Sequence, residues 1–378
     1  MAGHETTIEI LPNPPIPTPA EARALLAMCL DSKEQTGQVL SLVRVLLRHR
    51  CRQEALERLK RLSQSVPQHP DILQALVETA LPVEPGLALA ACKSLLRLEN
   101  SRSNRLLHIR TLALNGELQA AGALLDELKL EFPQDPEILS ELAVLSVRNG
   151  DFDAGLLQIE EALRLVPGHT WATAFKYGLL LKLGRLEEAS EFQALDAMVE
   201  IHEDFLDQKA CREVTSAVLA HRDLVASHEI STRGGSHTTE LSETRGPVAM
   251  RELLKRLRLL LPSKTKLWET NSQPETSLYL QAWAVILGEK AYQESHIHPS
   301  GLLSGVLYLQ VPEQEGEAGM LEFGRPSLEL FGNVDCPVKL VAPRPGRLVL
   351  FPSSFYHRTV PTTSRSKRVS LAFDLCPH

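Results

Sequence analysis

EKAYQESHIHPSGLLSGVLYLQVP (residues 289–312) and GRLVLFPSSFYHRTVPTTSRSKRVSLAF (346–373) decide the fold of this chain. Both are strand-like: short apolar runs broken by Gly, Pro and Ser. In an extended strand, residues i and i+2 share a face, so His296 and His298 project together, with Glu294 on the same face. His357 follows the apolar strand Arg347 to Pro352 after a short Ser-Ser-Phe-Tyr turn, and Arg368 comes eleven positions later. In that last strand Val369, Leu371 and Phe373 alternate with Arg368, Ser370 and Ala372, which puts Arg368 and Ser370 on one face.

These residue types make chemical sense together. Imidazole is a good iron ligand, and a facial set of three protein ligands leaves three positions open. A 2-oxo acid can take two of them and dioxygen the third. The distal carboxylate of such an acid needs a fixed cation, and an Arg fork, planar and always charged, suits that better than Lys. An HxH pair alone is a weak signal, since two polar residues on a solvent face read the same way. HxH, the strand ending YLQVP, GRLVLFPS, His and then Arg at plus eleven form a far more specific combination.

From about residue 278 to 378 the chain resembles the Fe(II)- and 2-oxoglutarate-dependent oxygenases of the double-stranded β-helix (jelly-roll) fold. Within them it is most similar to the bacterial oxygenases that carry tetratricopeptide repeats. The matching phrases are HIHPSGLLSGVLYLQVP, GMLEFGRP, PRPGRLVLFPSSFYHRTVP and RVSLAFDLCP. More loosely it is similar to the aspartyl/asparaginyl β-hydroxylases, which also join helical repeats to such a domain. The resemblance implies His296 and His357 as iron ligands and Arg368 as the 2-oxoglutarate anchor. Ser370 and Tyr308 are candidates to support the same carboxylate, with a packed strand aromatic as the alternative for Tyr308. It further implies Fe(II), 2-oxoglutarate and dioxygen as cofactor and cosubstrates, with ascorbate supportive, and hydroxylation of an unactivated C–H bond. Gln281 and Trp283, sharing a face, are weaker pocket candidates.

One position departs from the family pattern H-x-D/E…H: the carboxylate slot holds His298. Three completions stay open. They are a three-His site through His298, a two-His site with water, and a site closed by a carboxylate such as Glu294 or with the ligand pair shifted in register. Two other functions are carried beside the hydroxylase. A three-His dioxygenase of the cupin kind would use no 2-oxo acid and would not need Arg368. A non-catalytic repeat scaffold with a degenerate barrel is kept alive by His298.

Working outward, 378 residues are enough for two domains, each with a core. Hydrophobic content of 43% and charged content of 23% are those of a soluble globular chain. The net charge of −7 gives no reason to expect nucleic acid or an anionic membrane as partner. Six cysteines without CxxC spacing read as reduced thiols rather than a disulfide frame or zinc site. The apolar run Ile8 to Leu11 is too short for a signal peptide or a span, so a cytoplasmic location is expected.

Residues 1–17 are Pro-rich and read as irregular. Thr18-Pro19-Ala20-Glu21 is a helix start, with Thr18 as cap and Glu21 at the capping-box position. Asn115-Gly116, Asn149-Gly150 and Leu183-Gly184 then recur every 34 residues, as do Ala121, Gly155 and Ala189. That is the tetratricopeptide period, in which helical hairpins stack into a solenoid because none can bury its apolar face alone. Residues 18–190 are therefore expected to be such repeats, offering a surface for a peptide, protein or carrier-bound substrate. Buttressing of the oxygenase, or a homodimer, is the alternative use. Trp171, Phe175 and Tyr177 fall at helical spacing and read as core.

Residues 191–247 are expected to be a bridging helix and loop. The Ser/Thr/Gly-rich run 228–247 reads either as a mobile linker or as a loop over the catalytic mouth, with Arg233 and His237 touching substrate. A similar Thr-Arg-Gly-Gly run precedes the barrel in the repeat-bearing oxygenases. Residues 249–262 form a basic amphipathic helix expected to pack its Leu face on the sheet. Eight strands are expected, near 277–286, 292–298, 302–311, 319–323, 337–342, 347–352, 356–361 and 366–375. The expected architecture is an N-terminal α-solenoid followed by a jelly-roll domain over 248–378.

Overall fold

The structure is a computed structural model and describes residues 10–11, 16–221, 224–226, 231–262 and 277–377. The chain divides into two compact units, Ile16–Leu165 and Met1–Pro15 with Val166–His378. The span 18–190 expected to hold the repeats crosses this division.

The first unit is a run of antiparallel helices. Pro19–Met28 opens with the expected capping box, Thr18 and Glu21 each satisfying the other's backbone N–H. Arg102–Leu114 and Leu118–Glu131 form one hairpin, and Pro136–Arg148 and Phe152–Leu165 the next. Gly116 and Gly150 sit at positive φ, 83° and 82°, where each helix ends and the chain must turn. Leu106, Ile109, Leu112, Ala121, Leu125, Leu128, Ile138 and Leu142 close into one shared core, as stacked hairpins require. Ion pairs add to this packing: Arg102 to Asp135, Arg105 to Glu131, and Arg110 to Glu141.

The second unit is built on a curled sheet of eleven strands among the described residues. They are β1 (Ile10–Leu11), β2 (Glu200–His202), β3 (Leu224–Ala226), β4 (Thr232–Thr238), β5 (Leu278–His296), β6 (Leu303–Gln310), β7 (Leu321–Phe323), β8 (Lys339–Val341), β9 (Leu348–Pro352), β10 (His357–Thr359) and β11 (Arg368–Pro377). The main order is β2-β9-β6-β11-β5-β10-β7-β8, and β4 and β1 also pair with β5. All pairings are antiparallel except β1 with β5. This is the expected jelly-roll class.

Several elements differ from expectation. The two strands expected at 277–286 and 292–298 are one strand, β5, irregular at Lys290, which adopts φ 60°. Thr362 pins that irregularity, accepting from Lys290 N–H and donating to Ala291 O through its own N–H. The run 228–247 is not a plain loop: Thr232–Thr238 is a strand held between β3 and β5. Ile10 and Leu11, inside the stretch read as irregular, pair with Leu278 and Tyr279. Residues 227–230 of the linker lie outside the described residues.

The sheet's outer face is apolar. Leu280, Ala282, Ala284 and Ile286 of β5, Leu303 and Leu307 of β6, Leu348 and Leu350 of β9, and Val369, Leu371, Phe373 and Leu375 of β11 are all buried there. The helices Gln208–Leu219 and Val248–Leu260 cover them with Val214, Val218, Met250, Leu253, Leu254 and Leu257, so the basic helix uses its Leu face as expected. Each fully buried Leu or Phe contributes about 1.5–3 kcal/mol relative to exposure. Gly305 is fixed by this packing, because a Cβ there would stand 2.1 Å from the Phe373 ring.

The helix Thr170–Lys182 belongs to this unit. Its Tyr177 hydroxyl donates to Gly324 O (3.0 Å), its Thr170 hydroxyl to Gly301 O (2.9 Å), and Phe331 lies on Gly178. Phe175 and Tyr177 are core, each under 2% exposed.

Candidate active site

Strand register builds the site. β10 runs antiparallel to β5 with His357 directly opposite His296, and their ring centroids are 4.3 Å apart. His298 lies two residues past the end of β5. Its backbone N–H donates to Ser353 O (3.0 Å), which brings its ring 5.2 Å from His296 and 5.0 Å from His357. Each of the three offers a ligand atom within 4.8 Å of the others, and no other group of this kind occurs among the described residues.

The hydrogen bonds on these rings fix which nitrogen carries the hydrogen. Nδ1 of His296 lies 2.7 Å from Glu294 O, and Nδ1 of His357 lies 3.0 Å from Phe355 O. A carbonyl oxygen can only accept, so Nδ1 carries the hydrogen in both rings and Nε2 keeps the lone pair. In His298, Nδ1 is 2.5 Å from the carboxylate of Asp374. His357 is 4% exposed and walled by Phe351 at 4.7 Å. Burial, with His296 and His298 beside it, pushes its pKa well below the usual value, so the ring stays neutral and its Nε2 unprotonated.

Arg368 begins β11, opposite Leu287 of β5, and is 2% exposed. Its Nε and Nη1 have no hydrogen-bond partner, and neither does the hydroxyl of Tyr308, which is fully buried. The guanidinium lies 5.0 Å from the centroid of the Tyr308 ring. Ser370, directly opposite Tyr308, is 3% exposed on the same face. An unpaired cation and an orphan hydroxyl inside a protein are costly, and they fit a buried anion. The residues present therefore suit both groups that the sequence implied: a metal that takes imidazole, and a carboxylate ligand.

Glu294, the candidate carboxylate ligand, is instead ion-paired to Arg233 at 2.7 Å and stands outside the histidine group. His237 is 1% exposed, and its Nε2 is 2.6 Å from the Thr232 hydroxyl. Trp283 is buried with its ring 5.6 Å from His298. The Gln281 amide donates to Glu240 at 3.3 Å.

Sequence reasoning missed Asp374, Ser304 and Ser353. The Ser304 hydroxyl donates to Asp374 at 2.7 Å and lies 2.8 Å from the Ser353 hydroxyl. The signal was present: the alternation Arg368, Ser370, Ala372 reaches Asp374 in one further step.

Residues 281–374 match the family model described as "Putative 2OG-Fe(II) oxygenase". No curated protein matches the chain in sequence. Among solved structures, a Pseudomonas putida prolyl-4-hydroxylase aligns at 19% identity and TM-score 0.37, covering 48% of this chain and 92% of its own. HygX from Streptomyces hygroscopicus, solved with nickel and 2-oxoglutarate bound, aligns at 15% identity and TM-score 0.38, covering 50% and 86%. A tetratricopeptide protein of Thermus thermophilus aligns at 21% identity and TM-score 0.38, covering 42% and 88%. Over residues 281–374 the chain is thus similar to the 2OG-Fe(II) oxygenases, oxidoreductases that work with Fe(II) and 2-oxoglutarate.

Proposed function

We propose that the domain is a hydroxylase whose iron is held by His296, His298 and His357 and whose 2-oxoglutarate is anchored by Arg368, with Ser370 and Tyr308 supporting the same carboxylate. The observation that carries this is the convergence of three imidazoles on one inner face that also holds a buried guanidinium with unused donors. Iron, when bound, would supply the redox chemistry, with dioxygen as oxidant and 2-oxoglutarate as reductant: one oxygen atom would go into the succinate left by decarboxylation and the other into a C–H bond.

The chain's own residues have three tasks. The Nδ1–H bonds of His296 and His357 hold those rings with Nε2 available. Arg368 and Tyr308 hold the distal carboxylate by charge-assisted hydrogen bonds. Phe351, Phe323 and Val349 line the inner face and exclude water from it. Arg233, 39% exposed and paired to Glu294 two residues from His296, is the residue we favour for substrate contact. His237 is buried and takes a supporting place beside Thr232.

The substrate class we favour is a peptide, a protein or a carrier-bound amino acid, because stacked helical hairpins offer an extended surface for such a partner. No helix among the described residues is long and apolar enough to cross a membrane. The cytoplasmic location we favour fits six cysteines scattered without CxxC spacing.

The test is turnover of 2-oxoglutarate to succinate by the purified protein with Fe(II), ascorbate and dioxygen, slow without substrate and faster with the right peptide. Absence of both turnover and iron uptake would favour the non-catalytic scaffold. Turnover of dioxygen independent of 2-oxoglutarate would favour the cupin-like alternative.

A further inference from the structure

The carboxylate that the family pattern places two residues after the first histidine is replaced here by His298, yet a carboxylate is still next to that position. Asp374 Oδ1 lies 2.5 Å from Nδ1 of His298, and Asp374 is 6% exposed. The same oxygen accepts from the Ser304 hydroxyl at 2.7 Å. Ser304 has given its only hydrogen to Asp374, so at 2.8 Å it accepts from Ser353. Ser353 O in turn accepts the backbone N–H of His298. Both the ring and the main chain of His298 are thus tied to one small network. The register of β11 explains its place: Asp374 stands opposite Ser304 on β6 and Gln281 on β5. The fit is close, since a Cβ on Gly301 would stand 2.6 Å from Ser353 Oγ and 3.3 Å from Asp374 Cβ.

We propose that Asp374 is a positioning residue of the metal centre: through its bond to Nδ1 it holds His298 with Nε2 turned toward the metal, and it keeps beside the ring the negative charge that a carboxylate ligand would have brought. This rests on the reading of the three imidazoles as ligands. Nδ1 of His296 and of His357 faces a neutral carbonyl, whereas Nδ1 of His298 faces a charged acceptor. Such an acceptor fixes the tautomer and makes the imidazole a stronger donor to metal. Three neutral imidazoles would leave a divalent ion uncompensated, and Asp374 offsets one unit of that charge.

The experiment is an anaerobic Co(II) titration of the full chain, read by calorimetry and visible absorption. Asp374→Asn, which keeps the shape and removes the charge, is expected to weaken Co(II) binding about 10–100-fold. In a His298→Ala background the same substitution should change affinity less than about threefold, because the ring through which it acts is gone. A metal-free readout goes with it. Nitrogen-15 NMR of the histidine rings should show His298 protonated at Nδ1 in the native chain and redistributed between tautomers in Asp374→Ala. Equal losses in both backgrounds would mean that Asp374 acts through the fold, and the proposal falls. If His296→Ala and His357→Ala abolish Co(II) binding while Asp374→Asn does not weaken it, this proposal fails and the metal site stands. If none of the histidine substitutions affects Co(II), the ligand reading fails and takes Asp374 with it.

Discussion

The two faces of β11 carry opposite kinds of residue. Outward lie Val369, Leu371, Phe373 and Leu375, packed beneath the two covering helices. Inward lie Arg368, Ser370 and Asp374, all buried and polar, two of them charged. One strand thus serves both ends, and the pleat keeps them apart. The outward residues gain from leaving water and need no specific partner. The inward ones are costly to bury, and Arg368 has donors that the protein itself does not satisfy. A sheet can keep such a face only because the other stabilises it, which is where stability and activity separate in this domain.

The largest effect that could break this contrast is on the outer face. Phe373→Ala should cost about 3–5 kcal/mol, since the ring fills the space over Gly305 and the site cannot collapse around a glycine. All three tryptophans (171, 268 and 283) fall within Val166–His378, so fluorescence-detected urea unfolding reports on this unit. A loss below about 1 kcal/mol would mean that the outer face is not the main support.

Inner-face substitutions should give the reverse pattern. His357→Ala is expected to weaken Fe(II) or Co(II) binding more than about 100-fold, or about 2.7 kcal/mol, with a smaller change in unfolding midpoint. Arg368→Met should raise the 2-oxoglutarate requirement at least about tenfold while the thermal midpoint of the ligand-free protein stays level or rises. An unchanged requirement would remove Arg368 as the anchor, and a sharp fall in midpoint would show that the guanidinium is structural.

The smallest effect sharpens the contrast by pH. Burial opposes ionisation of Glu322, but hydrogen bonds from Arg358 and Arg325 outweigh it and hold the carboxyl below its usual 4.5. A carboxyl depressed in the folded state stabilises above its unfolded pKa, and that support fades as pH falls through the folded value. The urea midpoint should therefore drop below about pH 4.5, and Glu322→Gln should flatten that part of the profile. A native profile identical to that of Glu322→Gln would show that the cluster contributes nothing.

What the sequence disclosed follows from what is local. The 34-residue period is repeated turn chemistry, each Gly at positive φ, and it can be counted along the chain. The HxH pair, His357 and Arg368 stood out because each sits in or beside an apolar strand. The elements that stayed hidden depend on distant partners. Thr-Arg-Gly-Gly-Ser-His-Thr has neither apolar alternation nor bulk, and it becomes β4 only because β5 offers it an edge. The union of two expected strands in β5 turns on Lys290 at φ 60°, a conformation that no local signal at a lysine announces. Asp374 was hidden differently: its alternation was visible, but only the register opposite Ser304 brings it beside His298.

The helix Thr170–Lys182 bears on how the protein should be dissected. By periodicity it continues the hairpins before it, ending at Leu183-Gly184, so a fragment beginning near residue 191 looks like a clean excision. Such a cut would strip Tyr177 from Gly324, bare the ring of Phe331, and release the carbonyl of Gly301 in the turn that carries His298. Fragments meant to retain chemistry should start no later than Val166, and a shorter one that lacks activity would say nothing about the catalytic residues.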